Sequence, residues 1–159
     1  MNAVWTGRWA ERNTRIVVRT NVGASREQVE DLVGVGLRRN PKRAQLLVSS
    51  VLGKHVPADP RVIHAAGARL GALVAGELAG RSALVVGFAE TATLLGQLVA
   101  DELGAPYIHS TRRFDNSSAT WSTFSEAHSH APSHALRPWP ATFMDHGEVV
   151  VLVDDELST

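Results

Sequence analysis

Val149-Val150-Val151-Leu152-Val153 breaks directly into Asp154-Asp155-Glu156. Five consecutive branched aliphatics suit a strand buried on both faces of a parallel sheet. Acids placed straight after such a run fall at the carboxyl edge of the sheet, where open α/β folds take their ligands. A charged pair is costly there unless it meets solvent, a metal or hydroxyl groups. The segment therefore favours an α/β architecture and marks Asp154 and Asp155 as candidate ligand contacts.

The remaining pattern supplies the other layers. Arg15-Ile16-Val17-Val18-Arg19-Thr20 reads as a strand. Ser25 with Gln28 has capping-box spacing, and Val29, Leu32, Val33 and Leu37 share a helical face, so a helix is expected to end near Asn40 before Pro41. A strand is expected within 44–52. Asp59-Pro60 supplies an N-cap and first helical residue for a helix closed by Gly80. Residues 82–88 read as a strand, 92–103 as a helix with Gly104 as its C-cap, and 107–109 as a short strand. That succession is a βαβ unit. Residues 112–147 are rich in Ser, Thr, His and Pro and show little periodicity, the mark of a long functional or mobile loop.

Bulk composition removes several function classes. Lys plus Arg equals Asp plus Glu at 16 each, which gives no support to a nucleic-acid or anionic-membrane partner. No cysteine is present, so disulfides, thiolate catalysis and Cys-based zinc sites are excluded. A chain of 159 residues, 44% hydrophobic, fits a single domain with a sizeable core. Nothing in residues 1–13 resembles a signal peptide and no apolar run suits a membrane span, so a cytoplasmic protein is expected.

Four segments carry candidate chemistry. The terminal acids could face solvent, hold Mg²⁺ or accept hydrogen bonds from hydroxyls. Gly87-Phe88-Ala89-Glu90-Thr91-Ala92-Thr93 places a small-residue turn before a helix N-terminus, which attracts anions. Its plain alternative is a βα turn capped by Thr91 or Thr93, and Glu90 opposes a phosphate unless a cation intervenes. His128, His130 and His134 fall within seven residues. They suit either a metal site or, with Arg112 and Arg113 upstream, a mobile loop closing over an anionic substrate. Last, the basic run 38–43 reads as a solvated helix end, and Lys54-His55 sits in a Gly- and Pro-bounded loop.

Several blocks in order, Asn40-Pro41-Lys42-Arg43-Ala44, Gly53-Lys54-His55-Val56-Pro57, Gly87 to Thr93, His109-Ser110-Thr111-Arg112-Arg113, Glu126-Ala127-His128-Ser129-His130-Ala131 and Val153-Asp154-Asp155-Glu156, resemble one family. It is the type I phosphoribosyltransferase-like group associated with bacterial tellurium-resistance biosynthetic clusters, also called orotate-phosphoribosyltransferase-like. The resemblance runs over roughly residues 30–159. It implies a parallel sheet flanked by helices, with a hood-like N-terminal part at 1–57 and a sheet core at 58–159 within one domain.

The implied donor is 5-phosphoribosyl-1-diphosphate (PRPP) with Mg²⁺, and the implied acceptor is an unidentified nucleobase-like nitrogen nucleophile. By position in the family pattern, Asp154 and Asp155 would hold the ribose hydroxyls, with Mg²⁺ reaching them through PRPP. Ser158 and Thr159 would begin the 5′-phosphate loop, with Ser158, a catalytic candidate, standing where many catalytic members carry an acid or Thr. Gly87, Phe88, Ala89, Glu90, Thr91, Ala92 and Thr93 would form the diphosphate turn. Arg112 and Arg113 would neutralise charge on the leaving group, with His128 and His130 beside them in a covering loop, and Lys54 and His55 as further loop candidates. A homodimer is compatible with the family. Because family members continue past Thr159 with a glycine-containing phosphate loop, the chain is expected to be truncated inside the motif, impaired in donor binding, and left with Val149–Val153 as an edge. The competing expectations are a non-catalytic nucleotide or PRPP sensor and a His/Asp metal-binding protein.

Overall fold

The computed structural model describes residues 4–6, 29, 31–37, 45–54, 56–112, 120–125 and 133–156. The strand expected at 15–20, the Ser25 cap, the basic run 38–43, and His55, Arg113, His128, His130, Ser158 and Thr159 lie outside them. The chain divides into two units, residues 1–63 and 64–159.

The first unit holds an antiparallel sheet of β1 (Val4–Thr6), β2 (Val33–Leu37) and β3 (Gln45–Ser49), with β2 in the middle. Val35 lies opposite Leu47 and Gly34 opposite Val48, and Val35 and Val48 are buried. β2 overturns the expected helix from Ser25 to Asn40, because helical backbone stops at Leu32. The physical reason is legible in Val33-Gly34-Val35-Gly36-Leu37. Each interior glycine costs a helix about 1 kcal/mol relative to alanine, and β-branched residues at alternate positions fit the two-residue period of a strand. The 3.6-residue match of Val29, Leu32, Val33 and Leu37 ignored both. Ser50 ties the sheet to the preceding turn, its N–H donating to the Leu32 carbonyl at 2.9 Å and its Oγ to the Asp31 carbonyl at 2.6 Å.

Helix α1 (Pro60–Leu78) begins as expected. The Arg61 N–H donates to Asp59 Oδ1 at 2.9 Å, an N-cap bond, and the Arg61 guanidinium grips the same carboxylate with Nη2–Oδ2 at 2.6 Å. That contact holds the exposed Asp59 carboxyl below its usual pKa. At the other end, Gly80 has a φ of 84°, the left-handed conformation that glycine adopts without cost.

The second unit is built on a parallel sheet in the order β5-β4-β8. β4 (Ala83–Gly87) runs between β5 (Tyr107–His109) and β8 (Val149–Val153), with Val85 opposite both Tyr107 and Val151. All five residues of β4 are buried, as a central parallel strand requires. Helix α2 (Ala92–Leu103) packs on all three strands through its buried residues, among them Leu95, Leu98 and Val99. Gly104 closes it with φ 59° and ψ 31°, the expected left-handed cap. α1 comes close to α2 because Gly67 has no side chain: a Cβ there would lie 2.4 Å from Leu98 Cβ.

Two expectations need correction. β8 is not buried on both faces: Val150 is 54% and Leu152 58% exposed, while Val153 is buried. Among the described residues β8 pairs only with β4, and alternate side chains of an edge strand with one covered face remain open. Nor is 112–147 without regular structure. β6 (Ser122–Ser125) and β7 (Ser133–Leu136) pair antiparallel, and a 3₁₀ turn spans Ala141–Asp145. The hairpin is held to the segment after β5 by mutual backbone hydrogen bonds between Thr111 and Ala135, at 2.9 and 2.8 Å. Tertiary pairing stabilises strands whose own sequence, Ser-Thr-Phe-Ser and Ser-His-Ala-Leu, carries little apolar alternation. Among the described residues, no helix is long and apolar enough to cross a membrane.

Candidate functional site at the carboxyl edge of the sheet

Parallel pairing brings the two most informative sequence segments together. Gly87 is the last residue of β4 and lies opposite Val153, the last residue of β8. The next N–H, that of Phe88, donates to the Val153 carbonyl at 3.0 Å. The turn 88–91 and the acids 154–156 therefore leave adjacent strand ends on the same edge. Asp154 is half-buried and Asp155 exposed, with the Asp155 N–H donating to Asp154 Oδ1 at 2.8 Å. This local bond holds the first carboxylate near the strand mouth.

The turn is shaped from below and from both flanks. Gly87 and Gly96 face each other closely, and a Cβ on Gly96 would stand 2.9 Å from Gly87 Cα. This absence of side chains lets the first turns of α2 lie against the end of β4. The Tyr107 hydroxyl donates to the Thr93 carbonyl and anchors the first turn of α2 from β5. Partial burial pushes the Tyr107 phenol up to about 12, so it stays a donor throughout the neutral range. Thr91, the N-cap residue, makes no side-chain capping bond, which removes the expectation that it caps an ordinary βα turn. The Ala92 N–H is taken by the Phe88 carbonyl at 3.0 Å. Beyond it the helix dipole points its positive end at the sheet edge.

Arg112 meets the turn from the β5 side. Its Nε and Nη2 donate to the Ala89 carbonyl at 3.3 and 3.0 Å. A guanidinium is thus fastened one residue before Glu90, the exposed acid that would otherwise oppose a phosphate at this turn. Opposite sign beside Glu90 is the condition an anion site of this sequence requires.

Of the residues expected to act together, Gly87 to Thr93, Arg112, Asp154 and Asp155 share this edge. Lys54 is exposed and belongs to the first unit. His134 departs from its expected setting. Expected in a metal site or a mobile covering loop, it is fully buried in β7 and stacks on Phe124 with ring centroids 4.8 Å apart. Among the described residues no group of three or more His, Asp or Glu is arranged to hold a metal ion.

The sequence gives no role to Ser110, Phe124 or Tyr107, and points His134 toward a metal site or a covering loop. Their only advance signal is that polar or aromatic residues stand within or just beyond short strands; their burial is a tertiary property. An open recess of about 380 Å³ lined by His64, Ala65, Ala68, Leu98, Asp101 and Glu102 lies along the later turns of α2, away from Ala92. It contains none of the residues gathered at the sheet edge.

No curated protein matches the chain. The family model described as phosphoribosyl transferase matches residues 32–159. Its span takes in β2 through the acids that follow β8, including the turn, Arg112 and Asp154-Asp155 at the sheet edge, and on that match the chain belongs to the phosphoribosyl transferase family.

Proposed function

We propose that the chain binds PRPP at the carboxyl edge of the β5-β4-β8 sheet and transfers its phosphoribosyl group to a nucleobase-like nitrogen, a glycosyltransferase reaction. The observation that carries this reading is the Phe88 N–H bonded to the Val153 carbonyl at 3.0 Å, which sets an anion-suited turn beside paired acids. A donor with a diphosphate at one carbon and vicinal hydroxyls on the next two presents those two chemistries side by side. The hood-like role of the N-terminal part, the covering role of Arg113, His128 and His130, the phosphate loop at Ser158 and Thr159, a homodimer and the tellurium-resistance association are parts of the same proposal that rest on resemblance.

Asp154 and Asp155 would accept hydrogen bonds from the ribose hydroxyls and orient the ring. The turn 87–93 would receive the diphosphate at the N-terminal end of α2, whose dipole favours an anion. Bond breaking at C1 releases diphosphate with the electron pair of the C1–O bond, while the acceptor nitrogen forms its bond to C1 and loses its proton to solvent or diphosphate. Positive charge on the sugar and negative charge on the leaving group grow together. Arg112, already fixed on the turn, would stabilise the second. Holding the reactants in line and excluding water account for the remainder of the rate.

Oxygen donors suit Mg²⁺, which binds through one or two carboxylates together with substrate phosphates and retained waters rather than in a protein cage. Asp154, Asp155 and Glu90 are oxygen donors at or next to this edge, so the residues fit an ion that arrives with the donor. When bound, the ion neutralises charge on the diphosphate.

The test is calorimetric titration of PRPP with Mg²⁺ into the wild-type chain and into the double variant Asp154→Asn, Asp155→Asn. Loss of two charge-assisted hydrogen-bond acceptors is expected to weaken donor binding by about 2–4 kcal/mol. Binding undiminished in the folded double variant would refute the ribose assignment.

A further inference from the structure

Ser110 and His134 are both fully shielded from solvent, and neither takes part in the mechanism above. Ser110 follows β5 directly. Its Oγ accepts the Ala89 N–H at 2.8 Å and lies 3.0 Å from His134 Nδ1. His134 in turn is fixed by its place in β7, whose next residue Ala135 is bonded in both directions to Thr111. Its ring stacks on Phe124 at 4.8 Å and 19°, and Phe124 meets Phe88 at 5.0 Å. The hairpin therefore touches the turn twice, through an aromatic stack ending on Phe88 and through a polar chain ending on the Ala89 N–H.

A serine hydroxyl has one proton and two lone pairs. If it donates to His134 Nδ1, a lone pair is left for Ala89, and the donation polarises the oxygen into a better acceptor. If the imidazole carries its proton on Nδ1, the ring donates to the second lone pair instead. In either tautomer His134 fixes the serine rotor with an acceptor lone pair aimed at the Ala89 N–H. Ala89 is also the residue whose carbonyl takes Arg112. One peptide segment is thus clamped on its N–H by Ser110 and on its carbonyl by Arg112.

We infer that Ser110 and His134 are positioning residues for the turn 88–91: the buried pair holds the Ala89 amide and so sets the shape in which the turn meets a diphosphate. The inference rests on the donor site proposed above. Its structural half is testable without any ligand.

Amide hydrogen exchange at Ala89 is to be compared in the full chain and in Ser110→Ala, His134→Ala and His134→Asn, with folding verified by circular dichroism. Asparagine retains a polar group near the position of Nδ1 and serves as the conservative rescue. Exchange at Ala89 is expected to accelerate about tenfold in Ser110→Ala, the worth of one buried hydrogen bond, and by a smaller factor in His134→Ala, which leaves that bond but frees the serine rotor, while Val86 in the central strand is unchanged. His134→Asn should restore most of the protection. Magnesium diphosphate titrated into the same proteins should then bind about tenfold more weakly to the alanine variants than to wild type.

Unchanged exchange at Ala89 in His134→Ala overturns the clamp. Faster exchange with wild-type diphosphate affinity overturns the positioning role. A wild-type chain that does not bind magnesium diphosphate removes the donor site itself, and this failure is recognised without any variant. If His134→Ala does not fold, Ser110→Ala decides the question, because it removes the acceptor and leaves the aromatic stack.

Discussion

Two N–H groups of Arg112 converge on one carbonyl oxygen, that of Ala89, and fasten a guanidinium to the turn. Left alone, Glu90 would make the turn repel phosphate. In the proposed site Arg112 would offset it, because its charge is permanent and its planar fork is held by the backbone. Arg112→Ala should weaken diphosphate binding about tenfold, whereas Arg112→Lys should recover only part of that loss because a single ammonium cannot reproduce the fork. Titration with magnesium diphosphate reads both, and equal affinity in all three proteins would show that Arg112 serves structure alone. The resemblance assigned Arg112 to a covering loop. The geometry adds something that sequence could not: the side chain is tied to the floor of the site.

Among elements, α2 carries the clearest relation of sequence to structure. Its apolar spacing, Gly104 at the end and the small residues at the start specify its limits, and Ala92–Leu103 is the range observed. β4 and β5 are legible for the same reason, since local composition and tertiary setting agree, whereas β8 is legible as a strand although only one of its faces is covered. In β2 the amphipathic spacing of Val29, Leu32, Val33 and Leu37 competes with the Gly-Val alternation, and the alternation prevails. The β6–β7 hairpin was missed because its stability comes from pairing with Thr111 and from the Phe124–His134 stack, neither visible in a polar stretch. The candidate site divides along the same line. Its turn and its acids stand in continuous, patterned segments. Ser110 and His134 are isolated polar residues whose burial only the fold creates.

Tyr107 joins two of these elements, from β5 to the first turn of α2. Its pKa in the folded chain is about 12 against an ordinary 10.0. Between these values the unfolded chain has lost a proton that the folded chain retains, so stability falls as pH rises. The contribution of Tyr107 is therefore complete below pH 10.0 and declines up to about 12. Denaturant unfolding across this window should show a steeper loss in wild type than in Tyr107→Phe. Identical slopes would mean that the phenol is not desolvated by the fold.

At the scale of the whole molecule, balanced charge and an absence of cysteine leave recognition to a local arrangement rather than to a global field. That arrangement is the carboxyl edge of a parallel sheet, the position at which open α/β folds bind ligands. The edge holds an anion-suited turn, a tethered guanidinium and paired acids, all inside the segment that matches the phosphoribosyl transferase family. The alternative location in the same unit is the recess beside His64, Asp101 and Glu102 on the later turns of α2. The measurement that separates them is a ¹⁵N–¹H NMR titration of the chain with PRPP and Mg²⁺, which registers weak as well as tight binding. Shifts are expected to gather at residues 87–93, 112 and 154–156. Shifts gathered around His64, Asp101 and Glu102 instead, or no shifts in a folded chain, would contradict the proposed site.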